Sequence, residues 1–122
     1  MKQNSDIIFL EGLEVECIIG IFDWEREQKQ TVRIDLEMFT DIHPAAKSDR
    51  IEDALNYKTV AKAIIKMVEE SQFYLLEKMA EEIANICLNR FQIAKIRLKV
   101  SKPGAIRGSK NVGILIERER QA

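Results

Sequence analysis

The sequence predicts an α+β fold, a four-stranded antiparallel sheet with two helices on one face, in the order ββααββ. Two pairs of segments carry apolar residues at every second position, which is typical of half-buried strands. Between these pairs lies one block in which apolar residues recur with helical periodicity. Helices that are gathered in one block between hairpins, rather than alternating with strands, favour this architecture.

The first two strands are predicted at residues 6–19 and 31–40, joined by a polar connection at residues 21–30. In each strand the apolar residues fall on one face and the charged residues on the other. The apolar positions are Leu13, Val15, Cys17 and Ile19 in the first strand, and Val32, Ile34, Leu36 and Met38 in the second. The short connection indicates an antiparallel pair whose second face is solvated.

The helices are predicted at residues 57–70 and 75–90. Asn56 is a suitable N-cap for the first helix, because its side-chain oxygen can accept a hydrogen bond from a first-turn backbone N–H group. Before it, residues 44–55 form a polar link with a short helical turn at residues 45–47. The apolar stripes expected to face the sheet are Val60, Ile64, Met67 and Val68 in one helix, and Leu76, Met79, Ala80, Ile83 and Cys87 in the other.

The last two strands are predicted at residues 95–100 and 112–118. The apolar positions of the third strand are Ile96, Leu98 and Val100. Continuing this alternation puts Lys102 on the same apolar face, just before Pro103 and Gly104, which are expected to end the strand. A lysine there is costly to desolvate, which suits a base. The same position also fits a lysine whose ammonium group extends from the sheet end into water.

Composition excludes several classes of function. At 122 residues, with 46% apolar and 32% charged residues, the chain is expected to form one domain over residues 1–122. The net charge of −1 argues against nucleic-acid binding, and the short apolar runs argue against membrane insertion. Cys17 and Cys87 are too few for a disulfide framework, so we expect reduced core thiols in a cytoplasmic protein. His43, the only histidine, is expected at the surface or as a capping residue, and no metal site is predicted.

Four local patterns occur together in the chain: IGIFDWE at residues 19–25, LNY at 55–57, FYLLE at 73–77, and SKPGA at 101–105 followed by NVG at 111–113. With these patterns the chain resembles bacterial dihydroneopterin aldolase over roughly residues 6–120, and the lysine-proline-glycine element is the most specific part. The resemblance implies the tunnelling fold, in which four chains close their sheets into a ring and two rings stack into an octamer. It also implies a step of folate biosynthesis.

The resemblance also implies which residues form the site. Lys102 matches the general acid/base of the family, and Tyr57 matches a site tyrosine that a neighbouring chain supplies. Glu77 matches the glutamate that binds the amino-pyrimidinone edge of the pterin, helped by the backbone of Leu76. Glu25 matches a glutamate that borders the site.

Each carboxylate also has a simpler interpretation. Glu77 falls in the first turn of a predicted helix, where the helix dipole favours an anion. Glu25 lies in a polar connection and could be a solvated turn residue. Phe22 departs from the family pattern, since many relatives have tyrosine or histidine there, and this change affects the edge of the expected pocket.

The implied reaction needs no cofactor. Cleavage of 7,8-dihydroneopterin gives 6-hydroxymethyl-7,8-dihydropterin and glycolaldehyde. The electron pair of the broken carbon–carbon bond must be stabilised, and other aldolases do this with a Schiff base or a metal ion. Here the ring imine of the substrate, conjugated with the 1′ carbon, can accept the pair as an enol-type intermediate. What the protein must supply is a group that moves protons at the 2′-hydroxyl and the 1′ carbon, and a lysine suits that role. The resemblance also implies epimerisation at the 2′ carbon.

Two alternatives stay open at the level of sequence. The stretch at residues 51–78 is at least as similar to the related dihydroneopterin triphosphate 2′-epimerase, and Arg107 and Lys110 could hold a triphosphate. A protein of another class, a non-catalytic pterin-binding ring protein, would bind a pterin without releasing glycolaldehyde. The sequence leaves open the ratio of aldolase to epimerase activity and the choice between tetramer and octamer.

Overall fold

The computed structural model describes residues 6–121 of the chain. It contains four strands and four α-helices, which are numbered separately in chain order. The strands are β1 (Asp6–Cys17), β2 (Gln30–Thr40), β3 (Lys95–Pro103) and β4 (Asn111–Glu119). The helices are α1 (Asp23–Glu27), α2 (His43–Ser48), α3 (Tyr57–Glu70) and α4 (Leu76–Asn85), with a 3₁₀ turn at Ile51–Asp53 and a wide π-helical turn at Ile86–Arg90.

The strands form one sheet in the order β1-β2-β3-β4, and every neighbouring pair is antiparallel. Helix α3 packs on β1, and α4 packs on β3 and β4. The alternating apolar residues of the strands and the apolar stripes of both long helices meet in one buried cluster. Since burial of apolar surface is the main stabilising term in folding, this cluster holds the helices on one face of the sheet. The predicted architecture is therefore confirmed.

Strand β1 contains a bulge that the alternation pattern did not reveal. The pairing with β2 shifts between Leu10 and Leu13. At the bulge Gly12 has a φ of +69°, and its backbone N–H donates to Asp35 Oδ1 at 2.7 Å. A left-handed residue of this kind is typical of a bulge and resets the alternation by one position. The predicted end of the strand at residue 19 was wrong, because regular pairing stops at Cys17.

Helix α3 has the predicted limits, and Asn56 Oδ1 accepts from the backbone N–H of Thr59 at 3.3 Å, as an N-cap should. Other limits differ. The polar connection after β1 contains helix α1, and the second long helix begins one residue after Leu75. Strand β3 continues to Pro103, which pairs with Asn111. A proline lacks the N–H that a central strand needs, but the end of a strand tolerates it.

The remaining sequence predictions concern cysteine, histidine and membrane insertion. Cys17 and Cys87 are free and completely buried, as predicted. His43 lies exposed at the start of α2, where its ring nitrogen is 2.7 Å from Asp41 Oδ1, and this hydrogen bond raises the pKa of the imidazole. Within residues 6–121, none of the helices has the length and apolar character that crossing a membrane requires.

Candidate active site

A buried ion pair joins Lys102, near the end of β3, to Glu25 in the short helix α1. Lys102 Nζ donates to Glu25 Oε2 at 2.8 Å. The two side chains are 15% and 7% exposed, so water has little access to the pair. Lys102 lies on the apolar face of β3, as the alternation predicted. Its ammonium group is bound inside the protein rather than extending into water.

The carboxylate of Glu25 is surrounded by donors. Oε1 accepts from the backbone N–H of Phe22 at 3.1 Å, and Oε2 also accepts from Gln30 Nε2 at 3.1 Å. Gln30 is held in turn because its side chain donates to the backbone carbonyl of Ile19 at 2.6 Å. The hydrogen bond from Lys102 outweighs the cost of burial and lowers the pKa of Glu25 from its ordinary value of 4.5 to about 2. Glu25 is therefore ionised at every pH near neutrality.

Gly20 makes room for this carboxylate. It has a φ of +130°, a conformation that favours glycine. A Cβ atom at this position would lie 2.1 Å from Glu25 Cδ and 2.3 Å from each carboxylate oxygen. The glycine of the IGIFDWE pattern thus has a direct physical role, since it allows the carboxylate to pack against the backbone.

The end of β3 is shaped by its pairing with β4. Ser101 pairs with Gly113, whose missing Cβ would lie 2.2 Å from the carbonyl oxygen of Val100 and 2.6 Å from Ser101 Cα. Asn111 Nδ2 donates to the buried Ser101 Oγ at 3.0 Å. These contacts let the two strands approach closely on either side of Lys102. The separated SKPGA and NVG patterns are therefore parts of one paired structure.

Cys17, the last residue of β1, takes no part in the ion pair. Its thiol is completely buried, and burial raises its pKa to about 11. The nearby Ser71 side chain and the charge of Lys102 both lower this pKa, but by less than burial raises it. The thiol is therefore protonated at neutral pH, so Glu25 is the charged partner of Lys102.

Leu76 and Glu77 lie at the start of α4, on a segment that is tied to the Glu25 turn. The backbone N–H of Gly20 donates to the carbonyl of Phe73 at 3.3 Å, which places residues 20 and 73 side by side. Glu77 is in the first turn of α4 and is exposed. Among residues 6–121 it forms no ion pair and no side-chain hydrogen bond, so its carboxylate is available to a ligand.

Tyr57 stands apart from the other candidate residues within one chain. It begins α3, and 53% of its surface is exposed. In the described part of the chain its hydroxyl forms no hydrogen bond with Lys102, Glu25 or Glu77. One chain therefore brings together Lys102 and Glu25 but does not add Tyr57 to them.

Glu25, Gln30 and Gly20 have larger roles in the site than the sequence predicted. Glu25 was expected only to border the site, and a solvated turn was the alternative, whereas its carboxylate is buried at the centre of the polar cluster. Gln30 was not identified at all, because a single glutamine before a strand has no local signal. Gly20 was noted only as part of a pattern. Its closeness to Glu25 in sequence was the one available indication that the two residues pack together.

Comparison with known proteins identifies the family. A family model described as dihydroneopterin aldolase matches residues 8–117. The dihydroneopterin aldolase of Escherichia coli (strain K12) is 44% identical over 113 residues, covering 93% of this chain and 93% of that protein. The dihydroneopterin triphosphate 2′-epimerase of Pseudomonas aeruginosa is 36% identical over 113 residues, covering 93% of this chain and 92% of that protein.

A solved structure agrees with these matches. The crystal structure of E. coli dihydroneopterin aldolase in complex with neopterin has a TM-score of 0.91 at 44% identity, covering 93% of this chain and 99% of that chain. The fold class and the enzyme class that the sequence predicted are confirmed by these similarities. With most of its length matched by the family model and by these relatives, the chain belongs to the dihydroneopterin aldolase family.

Proposed function

We propose that this protein cleaves the C1′–C2′ bond of 7,8-dihydroneopterin, with Lys102 as general acid/base and Glu25 as its counter-ion. The observation that carries the proposal is the buried ion pair, in which Lys102 Nζ lies 2.8 Å from Glu25 Oε2. A buried charged pair is costly to desolvate, and ionisable groups with strongly shifted pKa values cluster at functional sites. The products are 6-hydroxymethyl-7,8-dihydropterin and glycolaldehyde.

The reaction requires one proton to leave the substrate and one to return. Once the Lys102 ammonium of the ion pair has released its proton to water, the neutral amine takes the proton of the 2′-hydroxyl, the C1′–C2′ bond breaks, and glycolaldehyde forms. The bonding electron pair moves to C1′ and into the ring imine, giving an enol-type intermediate. The Lys102 ammonium then gives a proton to C1′, which yields the hydroxymethyl product and restores the amine. No oxidant, reductant or metal enters this balance.

Glu25 is suited to hold charge rather than to carry the proton. Its pKa of about 2 makes it a very weak base at neutral pH. It therefore stabilises the Lys102 ammonium and orients it by a short hydrogen bond, while the lysine performs the transfer. Gln30 and the backbone N–H of Phe22 keep the carboxylate in place. This division of roles follows from the different environments of the two groups.

The pterin ring is proposed to bind at the start of α4. The exposed carboxylate of Glu77 can accept two hydrogen bonds from the N–H groups of the amino-pyrimidinone edge, helped by the backbone of Leu76. The E. coli relative, 44% identical, has been crystallised in complex with neopterin. That complex supports a pterin as the ligand of this chain.

The complete site is proposed to include Tyr57 from a neighbouring chain, in a ring of four chains or in two stacked rings. Strands β1 and β4 are the edges of the described sheet, and open edges invite pairing with another copy. Large apolar side chains near the Glu25 turn and before α4 are also exposed, and a neighbouring chain would cover them. They are Ile21, Phe22, Trp24, Tyr74 and Leu75. The reduced, buried thiols fit a cytoplasmic location.

The direct test is incubation with 7,8-dihydroneopterin and identification of the products. We expect glycolaldehyde and 6-hydroxymethyl-7,8-dihydropterin in equal amounts. Lys102→Met should lower kcat by about 10²–10⁴-fold, the usual effect of losing general acid/base help. Lys99→Met, which removes an exposed lysine from the same strand, should retain normal turnover. Pterin binding without release of glycolaldehyde by the wild-type protein would favour the non-catalytic alternative.

The triphosphate epimerase is the second candidate, because its Pseudomonas aeruginosa member is 36% identical to this chain. The E. coli aldolase is 44% identical over the same number of residues, which favours the aldolase. Arg107 and Lys110, which could hold a triphosphate, both lie exposed in the loop between β3 and β4. Turnover of dihydroneopterin should exceed turnover of its triphosphate. The opposite preference, with 2′-epimerised triphosphate as the main product, would support the epimerase.

A further inference from the structure

Arg26, the residue after Glu25, binds two separate segments of the chain through its guanidinium group. Nη1 donates to the carbonyl oxygens of Gly20 and Phe73, each at 3.0 Å. Nη2 donates to the carbonyl oxygen of Gln72 at 2.6 Å. The guanidinium also lies over the ring of Tyr74, 4.0 Å from its centroid. One side chain thus makes three hydrogen bonds and one cation–π contact.

These contacts connect the two halves of the candidate site. Gly20 and α1 belong to the turn that holds Glu25, and Glu25 holds Lys102. Residues 72–75 lead directly into α4, where Glu77 lies in the first turn. Among the described residues, the one backbone hydrogen bond between these two segments is the long one from Gly20 to Phe73, at 3.3 Å. We call the contact between residues 20–27 and residues 72–75 the junction. Most of the polar contacts across it therefore come from Arg26.

We propose that Arg26 is a positioning residue, which sets the distance between the proton-transfer pair and the pterin anchor at Glu77. This inference rests on the proposed function, because it assigns the two halves to catalysis and to substrate binding. Within residues 6–121, Arg26 forms no hydrogen bond with Lys102 and no ion pair with Glu77. It acts by holding the backbone of one half against the backbone of the other. A small error in this spacing would misplace the reacting carbon relative to Lys102.

The chemistry of arginine explains why this residue type is required. Its planar guanidinium presents several donors in a fixed geometry and stacks on an aromatic ring at the same time. A lysine ammonium is a point charge on a flexible chain and cannot reach three carbonyls and the Tyr74 ring in the same arrangement. Carbonyl oxygens, and no carboxylate in the described chain, accept from Arg26. Its removal therefore leaves no uncompensated acidic group, and the expected effect is on geometry.

The test compares Arg26→Met and Arg26→Lys with the wild-type protein. Arg50→Met is the matched control, because Arg50 is an exposed arginine that pairs with the exposed Glu52. We expect kcat to fall about 10–100-fold in both Arg26 variants, the scale of loss caused by misplacing a bound substrate by about 1 Å. Equilibrium affinity for neopterin should change by no more than about threefold, because Glu77 remains in place and this is under 1 kcal/mol. Arg50→Met should match the wild type in both respects.

Hydrogen exchange of the Gly20 amide provides a second measurement that does not depend on activity. This amide donates across the junction to Phe73, so its exchange rate should rise in both Arg26 variants. In Arg50→Met its exchange rate should equal that of the wild type. Unchanged protection of Gly20, or a kcat within about twofold of wild type (under 0.5 kcal/mol), would overturn the inference. A loss confined to neopterin affinity would overturn it too, since Arg26 would then support only the anchor. A wild-type protein that releases no glycolaldehyde would instead refute the proposed function, while the exchange measurement would still test the junction.

Discussion

Glu25 and Lys102 form a buried ion pair at 2.8 Å although 77 positions separate them in the sequence. Helix α1 carries the carboxylate and the end of β3 carries the ammonium group, so the pair depends on the tertiary structure that brings these two elements together. Its burial makes each partner dependent on the other, because removal of one leaves an uncompensated charge.

The first prediction concerns stability at acid pH. The folded-state pKa of Glu25 is about 2, below its ordinary value of 4.5, so the folded protein binds fewer protons at this group than the unfolded chain. The stabilising contribution of Glu25 is therefore complete above about pH 4.5 and is lost as the pH falls towards 2. In Glu25→Gln this contribution is absent at every pH. The difference in unfolding free energy between wild type and variant should shrink over that range.

Denaturant unfolding at fixed protein concentration, repeated from pH 6 to about pH 2, measures this difference. Glu52→Gln is the control, because Glu52 pairs with Arg50 at the surface and such pairs contribute about 0–1 kcal/mol. A difference between wild type and Glu25→Gln that is the same at pH 6 and at the acid end would contradict the prediction.

The second prediction concerns Gly20→Ala. The added Cβ would lie 2.1 Å from Glu25 Cδ, so the carboxylate must move and its contact with Lys102 must lengthen. We expect kcat to fall by about 10²-fold, because misplacement of the acid/base pair by about 1 Å has effects of that size. Steady-state kinetics with 7,8-dihydroneopterin measures the loss.

Gly108→Ala separates this displacement from backbone strain. Gly108 has a φ of +89°, and an added Cβ would meet no atom within 4 Å. Alanine there is strained by the backbone alone, at a cost of about 1–3 kcal/mol. Gly108→Ala should therefore lose stability but retain kcat. Equal kinetics for the two variants would show that the contact between Gly20 and Glu25 has no role in turnover.

The third prediction concerns Glu77→Ala. Removal of a carboxylate that binds the pterin edge should weaken affinity by about 1.5–3 kcal/mol, the usual value for a hydrogen bond to a charged group. Titration with neopterin measures the change, and Glu69→Ala on α3 is a control for loss of an exposed carboxylate. Unchanged neopterin affinity in Glu77→Ala would leave Glu77 with only its helix-terminal role.

The fourth prediction concerns the neighbouring chain. Tyr57→Phe and Lys102→Ala should each be nearly inactive, if both residues serve one site from different chains. Equal amounts of the two variants, unfolded and refolded together, form rings at random. A working site takes its lysine from a Tyr57→Phe chain and its tyrosine from a Lys102→Ala neighbour, so about one site in four should be active in a head-to-tail ring.

The refolded mixture must contain mixed rings, which native mass spectrometry of differently labelled chains can verify. Light scattering should give a tetramer or an octamer of the 14.1 kDa chain for both variants and for the wild type. A mixture with verified mixed rings and no recovered activity would show that Tyr57 and Lys102 do not act across a subunit boundary.

Local patterns in the sequence were sufficient for most of the fold. Helix α3 has the limits that Asn56 and its apolar stripe predicted, because an N-cap and a helical period depend only on residues a few positions apart. The face that Lys102 occupies followed from simple alternation along β3. The bulge at Gly12 could not be read in the same way, because a one-residue insertion is defined by the partner strand.

In the candidate site, too, local features were predictable from the sequence and spatial contacts were not. The sequence by itself determined that Lys102 lies on the buried face of a strand and that Glu77 begins a helix, since each statement concerns a residue and its near neighbours. Only the tertiary structure decided that Glu25 is the partner of Lys102, that Gly20 makes space for its carboxylate, and that Gln30 and Arg26 hold the turn in place. The physical reason is that burial and charge pairing depend on distances in space, which periodicity along the chain does not contain.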